Sequence, residues 1–335
     1  MARSRPVLTL VAERALRELI QPPKDSNVLE ASGVVAKGAH YYVIFDNIRR
    51  VARLHRSLEP GARKHGWVGP VREGDGYEDI AYSPQLRRFY LLVEVEKHPD
   101  GTYKAQIDEC DEHGRYKRRR RVDFTFKKRN TGMEGLSAVR VQGRDYLLAL
   151  CEGNGCHGGK KGKKPGSGRI HVLRRGGKTW KPLATIALPK HVKFEDYSAV
   201  AVRGNKIAVV SQQDSRLWIG TLGVKDWKIT GRGQIYDFPR DKKGKHKYCT
   251  LEALFWLGAR NFVMVSDLSK GDYSKRCRKH DQGHPRLPAA VGGARPARSR
   301  IPGQNLRTAW SSGQYADSDS VSDTVTFRPA GGGLT

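Results

Sequence analysis

The sequence predicts an all-β fold, a β-propeller of five or six four-stranded blades around an acidic central channel. Five times along the chain an acidic residue opens a short β-like stretch, a turn follows, and a second apolar stretch ends near another polar or acidic residue. The copies run from Glu30-Ala31-Ser32-Gly33-Val34 to Phe45-Asp46, from Glu78-Asp79-Ile80-Ala81 to Val93-Glu94, and from Glu134-Gly135-Leu136-Ser137 to Cys151-Glu152. The last two run from Glu195-Asp196-Tyr197-Ser198 to Ser211-Gln212 and from Glu252-Ala253-Leu254-Phe255 to Ser266-Asp267. Their leading glutamates are 48, 56, 61 and 57 residues apart, and periods of this size in an all-β sequence mean propeller blades.

Residues 1–20 are expected to close the ring. Val7 to Ala12 reads as an outer strand on the last blade, and Leu16 to Ile20 continues it or forms a short helix. Residues 21–282 make the propeller. Unit one is the shortest and loses definition after Leu54. Unit two carries the hairpin turn Pro99-Asp100-Gly101 between its middle strands. Unit three shows the plan most fully. Gly135 to Val141 is an inner strand, Gln142-Gly143-Arg144-Asp145 a turn, and Tyr146 to Cys151 an apolar run suited to burial on both faces. Arg169 to Arg174 and Lys181 to Leu188 complete that blade. Unit four repeats it with Ser198 to Val202, Lys206 to Val210, Arg216 to Thr221 and Gly233 to Phe238. Unit five lacks two strands after Asp267. Residues 283–335 are rich in Gly, Pro, Ala, Arg and Ser without a period, a composition that cannot offset its own ordering entropy. They are expected to be a disordered tail, and their abrupt start after Asp281-Gln282 suggests a shifted reading frame or a non-native extension.

The net charge is +28 and the isoelectric point about 10.1. Such a field attracts nucleic acid, anionic membrane surface or phosphorylated small molecules; a habit of basic composition with no partner is the plainer account. Five cysteines are an odd number for a disulfide scaffold. The apolar run Val7 to Ala12 is too short for a signal peptide, and no run approaches the ~20 residues of a membrane span. The expectation is a soluble cytoplasmic monomer.

In a propeller the first strand of each blade lines the channel, so Glu30, Glu78, Glu134, Glu195 and Glu252 are expected to converge on the axis. A second tier, Asp46, Glu94, Glu152 and Asp267 with Gln212 as the odd member, lies at strand ends near one mouth. Carboxylates packed that closely need a compensating cation, and oxygen-only ligands select Ca²⁺ or Mg²⁺. Alternatively, the glutamates only staple neighbouring blades through backbone amides. The glycine-rich loop from Glu152 to Arg169 places Lys160, Lys161, Lys163, Lys164 and Arg169 where they could cradle phosphate, or it is a solvated loop. Its Gly153-x-Gly155-x-x-Gly158 formally matches the dinucleotide fingerprint, but weakly, because no helix follows and the context is all-β. The basic runs Lys117 to Arg121, Lys127-Lys128-Arg129, Lys275-Arg276 and Arg278-Lys279 suggest a cationic rim around the acidic hole. Cys151, Cys156 and His157 lack a fourth ligand for zinc.

Blades opening with Glu134-Gly135-Leu136 or Glu78-Asp79-Ile80 and closing in Val265-Ser266-Asp267 or Leu150-Cys151-Glu152 resemble the phytase-like and SdiA-regulated propellers. The five acidic blades are also similar to calcium-activated nucleotidases, or apyrases. The resemblance implies Ca²⁺ near the axis, held among Glu30, Glu78, Glu134, Glu195 and Glu252, and hydrolysis of a phosphoester or phosphoanhydride at the mouth.

Together these readings predict a metal-binding propeller that hydrolyses a small phosphorylated or anionic ester. Glu94 or Glu152 acts as base and the basic loop holds the substrate anion. The alternative is a non-catalytic scaffold that binds nucleic acid or another polyanion through its basic rim.

Overall fold

The computed structural model describes residues 5–24, 26, 28–61, 65–69, 76–129, 132–152, 167–267, 286–291 and 326–327, the last two stretches and Glu94 as backbone only. Strand β1 (Ala12–Ala15) leads into helix α1 (Leu16–Leu19). Blade one is β2 (Ala31–Lys37), β3 (His40–Phe45), β4 (Val51–His55) and β5 (Gly66–Val68). Blade two is β6 (Tyr77–Ser83), β7 (Arg88–Lys97), β8 (Tyr103–Asp111) and β9 (Tyr116–Val122). Blade three is β10 (Met133–Val141), β11 (Arg144–Cys151), β12 (Arg169–Arg175) and β13 (Thr179–Ala187). Blade four is β14 (Ala199–Arg203), β15 (Lys206–Ser211), β16 (Arg216–Gly223) and β17 (Lys228–Asp237). Blade five is β18 (Leu251–Leu257), β19 (Asn261–Ser266) and β20 (Arg286–Val291), with β21 (Thr326–Phe327) paired to β20. Each blade is an antiparallel meander, and the molecule is a five-bladed β-propeller.

Chain before blade one adds to two blades. The outer strand of blade five is Ala12–Ala15, registered as Ala12↔Ala289 to Ala15↔Arg286. The earlier segment, expected on the same blade, instead bridges to blade four: Leu8 N donates to Asp237 O and Asp237 N to Pro6 O, at 2.9 and 3.0 Å. Leu16 to Leu19 takes the helical option, with Leu16 and Leu19 buried against blade one. Blade five does not stop at its second strand, because Arg286–Val291, assigned from sequence to the tail, supplies the third.

The core is a ring of five apolar seams, one at each blade-to-blade junction. The second strands show why their sequences are continuous apolar runs. In β3, Tyr41, Val43 and Phe45 pack toward blade five, while Tyr42 and Ile44 pack toward blade two. With period-two alternation, both faces of each such strand meet a neighbour, and both must be apolar.

Blades two and three share one continuous sheet, because β13 pairs in parallel with β9 at Thr179↔Arg121 and Trp180↔Val122. This placement corrects the reading of Lys117 to Arg121 as channel rim. The run is the outermost strand of blade two, far from the axis. Arg119 donates to both oxygens of fully buried Asp108 at 2.6 and 2.9 Å, and Arg120 donates to buried Glu109 at 2.8 Å. Arg118, Arg119 and Arg120 of the run therefore pair with the buried carboxylates of Asp108 and Glu109. Lys127 to Arg129 is exposed in the crossing to blade three. Lys275, Arg276, Arg278 and Lys279 lie outside the described residues.

Candidate functional site

The carboxylates converge on one mouth because of a device repeated at the start of the inner strands. Antiparallel pairing between first and second strands slips between Ala31 and Gly33, between Tyr77 and Ile80, between Met133 and Gly135, and between Leu251 and Ala253. The slipped residues include Glu78, Glu134 and Glu252. A β-bulge leaves its extra residue out of the ladder and re-aims its side chain, here into the channel. Blade four has no slip, and its inner strand starts at Ala199.

A polar cavity of about 180 Å³ opens at this mouth, lined by Asp46, Glu78, Glu134, Glu152, Asp196, Tyr197, Ser198, Gln212 and Glu252. It is smaller than the ~300–1,000 Å³ of pockets for drug-sized ligands. The expected convergence thus holds for Glu78, Glu134 and Glu252, and from the second tier for Asp46, Glu152 and Gln212. It fails for Glu195, whose side chain is exposed and whose backbone N–H donates to Asp214 at 2.8 Å. Blade four points its next residue, Asp196, inward instead. The Glu195-Asp196 pair offered both candidates, and only the backbone path selects between them.

Glu30 joins a tighter group. One carboxylate oxygen each from Glu30, Asp46 and Asp267 lies within 4.8 Å of the others. Backbone bonds hold these strand ends: Asp46 N donates to Glu30 O at 2.9 Å and Asp267 N to Thr250 O at 2.8 Å. Gly76 closes this corner. Its N–H donates to Asp46 O at 2.6 Å, and a Cβ there would collide with the Asp46 backbone. Oxygens that share one Ca²⁺ at 2.3–2.6 Å cannot be more than ~5 Å apart, so this trio meets the geometric requirement for a single hard cation. Sequence reasoning had split these three between two tiers.

Asp196 accepts hydrogen bonds from Ser211 Oγ and from Gln213 N at 3.2 Å. Burial pushes its carboxyl above the ordinary range despite those bonds, and nearby Asp214 adds to the rise.

Four hydrogen bonds staple neighbouring blades directly. Ser32 Oγ donates to Tyr77 O from blade one to blade two, and Asp79 accepts from Leu136 N at 2.6 Å between blades two and three. Ser137 Oγ accepts from Val202 N at 3.1 Å, and Ser198 Oγ donates to Leu251 O at 3.0 Å.

The remaining expected residues divide. Arg169 opens β12, half-buried, and its guanidinium donates to Gly168 O at 2.8 Å. Lys160, Lys161, Lys163 and Lys164 lie outside the described residues, as does the side chain of Glu94. Cys151 and Cys249 are disulfide-bonded, and Cys110 is free and buried. The odd cysteine count therefore conceals paired cysteines, and Cys151 offers no thiolate to zinc. Among the described residues no helix is long and apolar enough to cross a membrane.

No protein-family model and no curated sequence matches the chain. Solved structures do match. Glutaminyl cyclase from Myxococcus xanthus is 13% identical with a TM-score of 0.45, over 84% of this chain and 95% of that one. A luciferin-regenerating enzyme is 12% identical with a TM-score of 0.46, over 82% and 94%. Hydrazine synthase from Kuenenia stuttgartiensis is 11% identical with a TM-score of 0.40, over 74% of this chain and 58% of that one.

Proposed function

We propose that this propeller binds a hard divalent cation at its acidic mouth and hydrolyses a small phosphorylated or anionic ester there. The observation that carries the reading is the Glu30–Asp46–Asp267 trio, with its oxygens within 4.8 Å beside a cavity lined by further carboxylates. All its donors are oxygens, which suits Ca²⁺ or Mg²⁺ rather than zinc. The similarity of the blade openings to phytase-like and apyrase propellers supports the same direction.

When bound, the cation would polarise a phosphoryl oxygen and offset the charge of an anionic substrate. The chain's own residues would do the rest. Glu152 lines the cavity and is suited to accept a proton from the attacking water. Asp196, held protonated more readily than an ordinary carboxyl, is suited to return one to the leaving group. Arg169, at the base of the basic loop, would steady the substrate anion.

Thermal unfolding of EDTA-stripped protein against added Ca²⁺ and Mg²⁺ tests the first half. A ligand at ~100 times its dissociation constant adds ~2.7 kcal/mol, so a saturable rise in Tm is expected and a flat response overturns the reading. Cation-dependent release of p-nitrophenol from its phosphate esters tests the second half. Binding without turnover would leave a calcium-binding scaffold.

A further inference from the structure

Antiparallel blades put the leading carboxylates at one end of the inner strands and the hairpin turns at the other. On that far face blades three and four carry a cluster of cations. Arg144 opens β11, Arg174 lies near the end of β12, and Lys178 lies in the turn that follows. Arg203 ends β14, while Lys225 and Lys228 flank the β16–β17 turn. All six are exposed, and among the described residues none of them forms an ion pair. Other cations on this face have acidic partners: Lys37 and Arg87 pair with Glu112 and Arg88 with Glu109, while within the patch Arg140 pairs with Asp145 and Asp226 lies between Lys225 and Lys228.

An aromatic contact joins its two halves. Tyr146, opposite Arg174 in the β11–β12 register, packs edge-on against Trp227 from blade four, with ring centroids 5.1 Å apart. Trp227 sits between Lys225 and Lys228 with φ of +55°, a left-handed conformation that bulky residues avoid and that persists where the surroundings impose it. The contact sets the spacing between the blade-three and blade-four cations.

The chemistry selects the occupant. Arginines dominate the inner part of the cluster, and their planar guanidinium groups match phosphate oxygens in pairs. The exposed large apolar side chains among the described residues are Val7, Val11, Leu86 and Leu183, none of them in these turns, so the patch has no wedge for a lipid bilayer. Trp227 is occupied by Tyr146 and is no open stacking platform for unpaired bases. A spread of fixed cations without stacking or apolar groups fits the regularly spaced phosphates of a duplex, read without regard to base sequence. We propose that the blade three–four end of the far face docks duplex nucleic acid. This rests on different residues and the opposite face from the cation site at the mouth, so either can fail alone.

The test is fluorescence anisotropy of a labelled 20-base-pair duplex DNA with the full chain in EDTA, titrated over a range of NaCl concentrations. Binding is expected, with log Kd rising steeply with log salt. The triple variant Arg144→Ala/Arg174→Ala/Arg203→Ala should make that slope shallower by about 1 per lost phosphate contact. Lys242→Ala/Lys243→Ala/Lys245→Ala removes equal charge from the exposed loop after β17, on the mouth side, and should leave the slope within error of the parent. Equal loss in both variants, no binding at low salt, tighter binding to single strands, or retention only on phosphatidylserine vesicles would overturn the proposal. Unchanged Tm in both variants certifies that they are folded.

Discussion

Asp46 shows how much one residue carries. Its backbone ties β3 to the residue before β2, it receives Gly76, and its carboxylate belongs to both the trio and the cavity lining. Asp46→Asn keeps shape and backbone bonds but removes one charge from the proposed ligand set. The Ca²⁺-induced rise in Tm should shrink by at least half, with little change in the Tm of the metal-free protein. His246 makes a separate prediction. Burial holds its imidazole below the ordinary value of 6.5, and the Arg240 and Arg216 guanidiniums beside it add to the drop. The unfolded chain therefore takes up this proton at a higher pH than the folded chain does. The stability that depends on neutral His246 is complete above pH 6.5 and is lost as pH falls below it toward the folded pKa. His246→Gln should flatten that part of the stability–pH curve, measured by urea unfolding between pH 5 and 8.

At the scale of elements, the bulged inner strands do two jobs at once. The slip that turns Glu78 and Asp79 out of register sends Glu78 to the cavity and Asp79 to the next blade, where it accepts from Leu136 N. Asp79 is 2% exposed, and burial raises its carboxyl well above the usual range. Asp79→Ala leaves that amide unpaired at a buried junction and should cost ~1–3 kcal/mol in urea unfolding. Close approach of blades is the second demand on these strands. A Cβ on Gly135 would lie 2.9 Å from Val200 N and 3.1 Å from Leu150 Cβ, so backbone of the next blade must move. Gly135→Ala should destabilise by ~1–3 kcal/mol, whereas the same change at Gly177, which has nothing within 4 Å, should be near neutral.

At the scale of the whole molecule, stability depends on closing the ring with chain from its beginning. Leu8 lies outside every blade yet is 2% exposed, packed in the seam between blades four and five. Leu8→Ala should cost ~2–5 kcal/mol, as much as a core residue within a strand, and deleting residues 1–15 should lower Tm further by opening blade five. A small effect of both would show that the ring holds without its closing segment. The two faces also divide the charge: carboxylates gather at the mouth and unpaired cations at the far turns of blades three and four.

Much of this was legible in the chain. Acidic starts, double-sided apolar runs and glycine turns repeat because each blade solves the same local problem. The five units and most strands of units three and four could therefore be read directly. Other features arise from distant parts of the chain meeting, and no local pattern records them. Glu195 and Asp196 are equally acidic neighbours, and the path into β14 alone turns the second inward. Glu30, Asp46 and Asp267 are brought together by the first and last blades meeting. The basic run Lys117 to Arg121 looks like a binding motif, but its place on the outer strand commits Arg119 and Arg120 to Asp108 and Glu109. The far-face cluster is scattered over 85 positions from Arg144 to Lys228. The sequence by itself determined the repeat, because alternation and turn chemistry act over a few residues. Only the tertiary structure decided which charges meet, because that depends on how five separate blades are arranged around one axis.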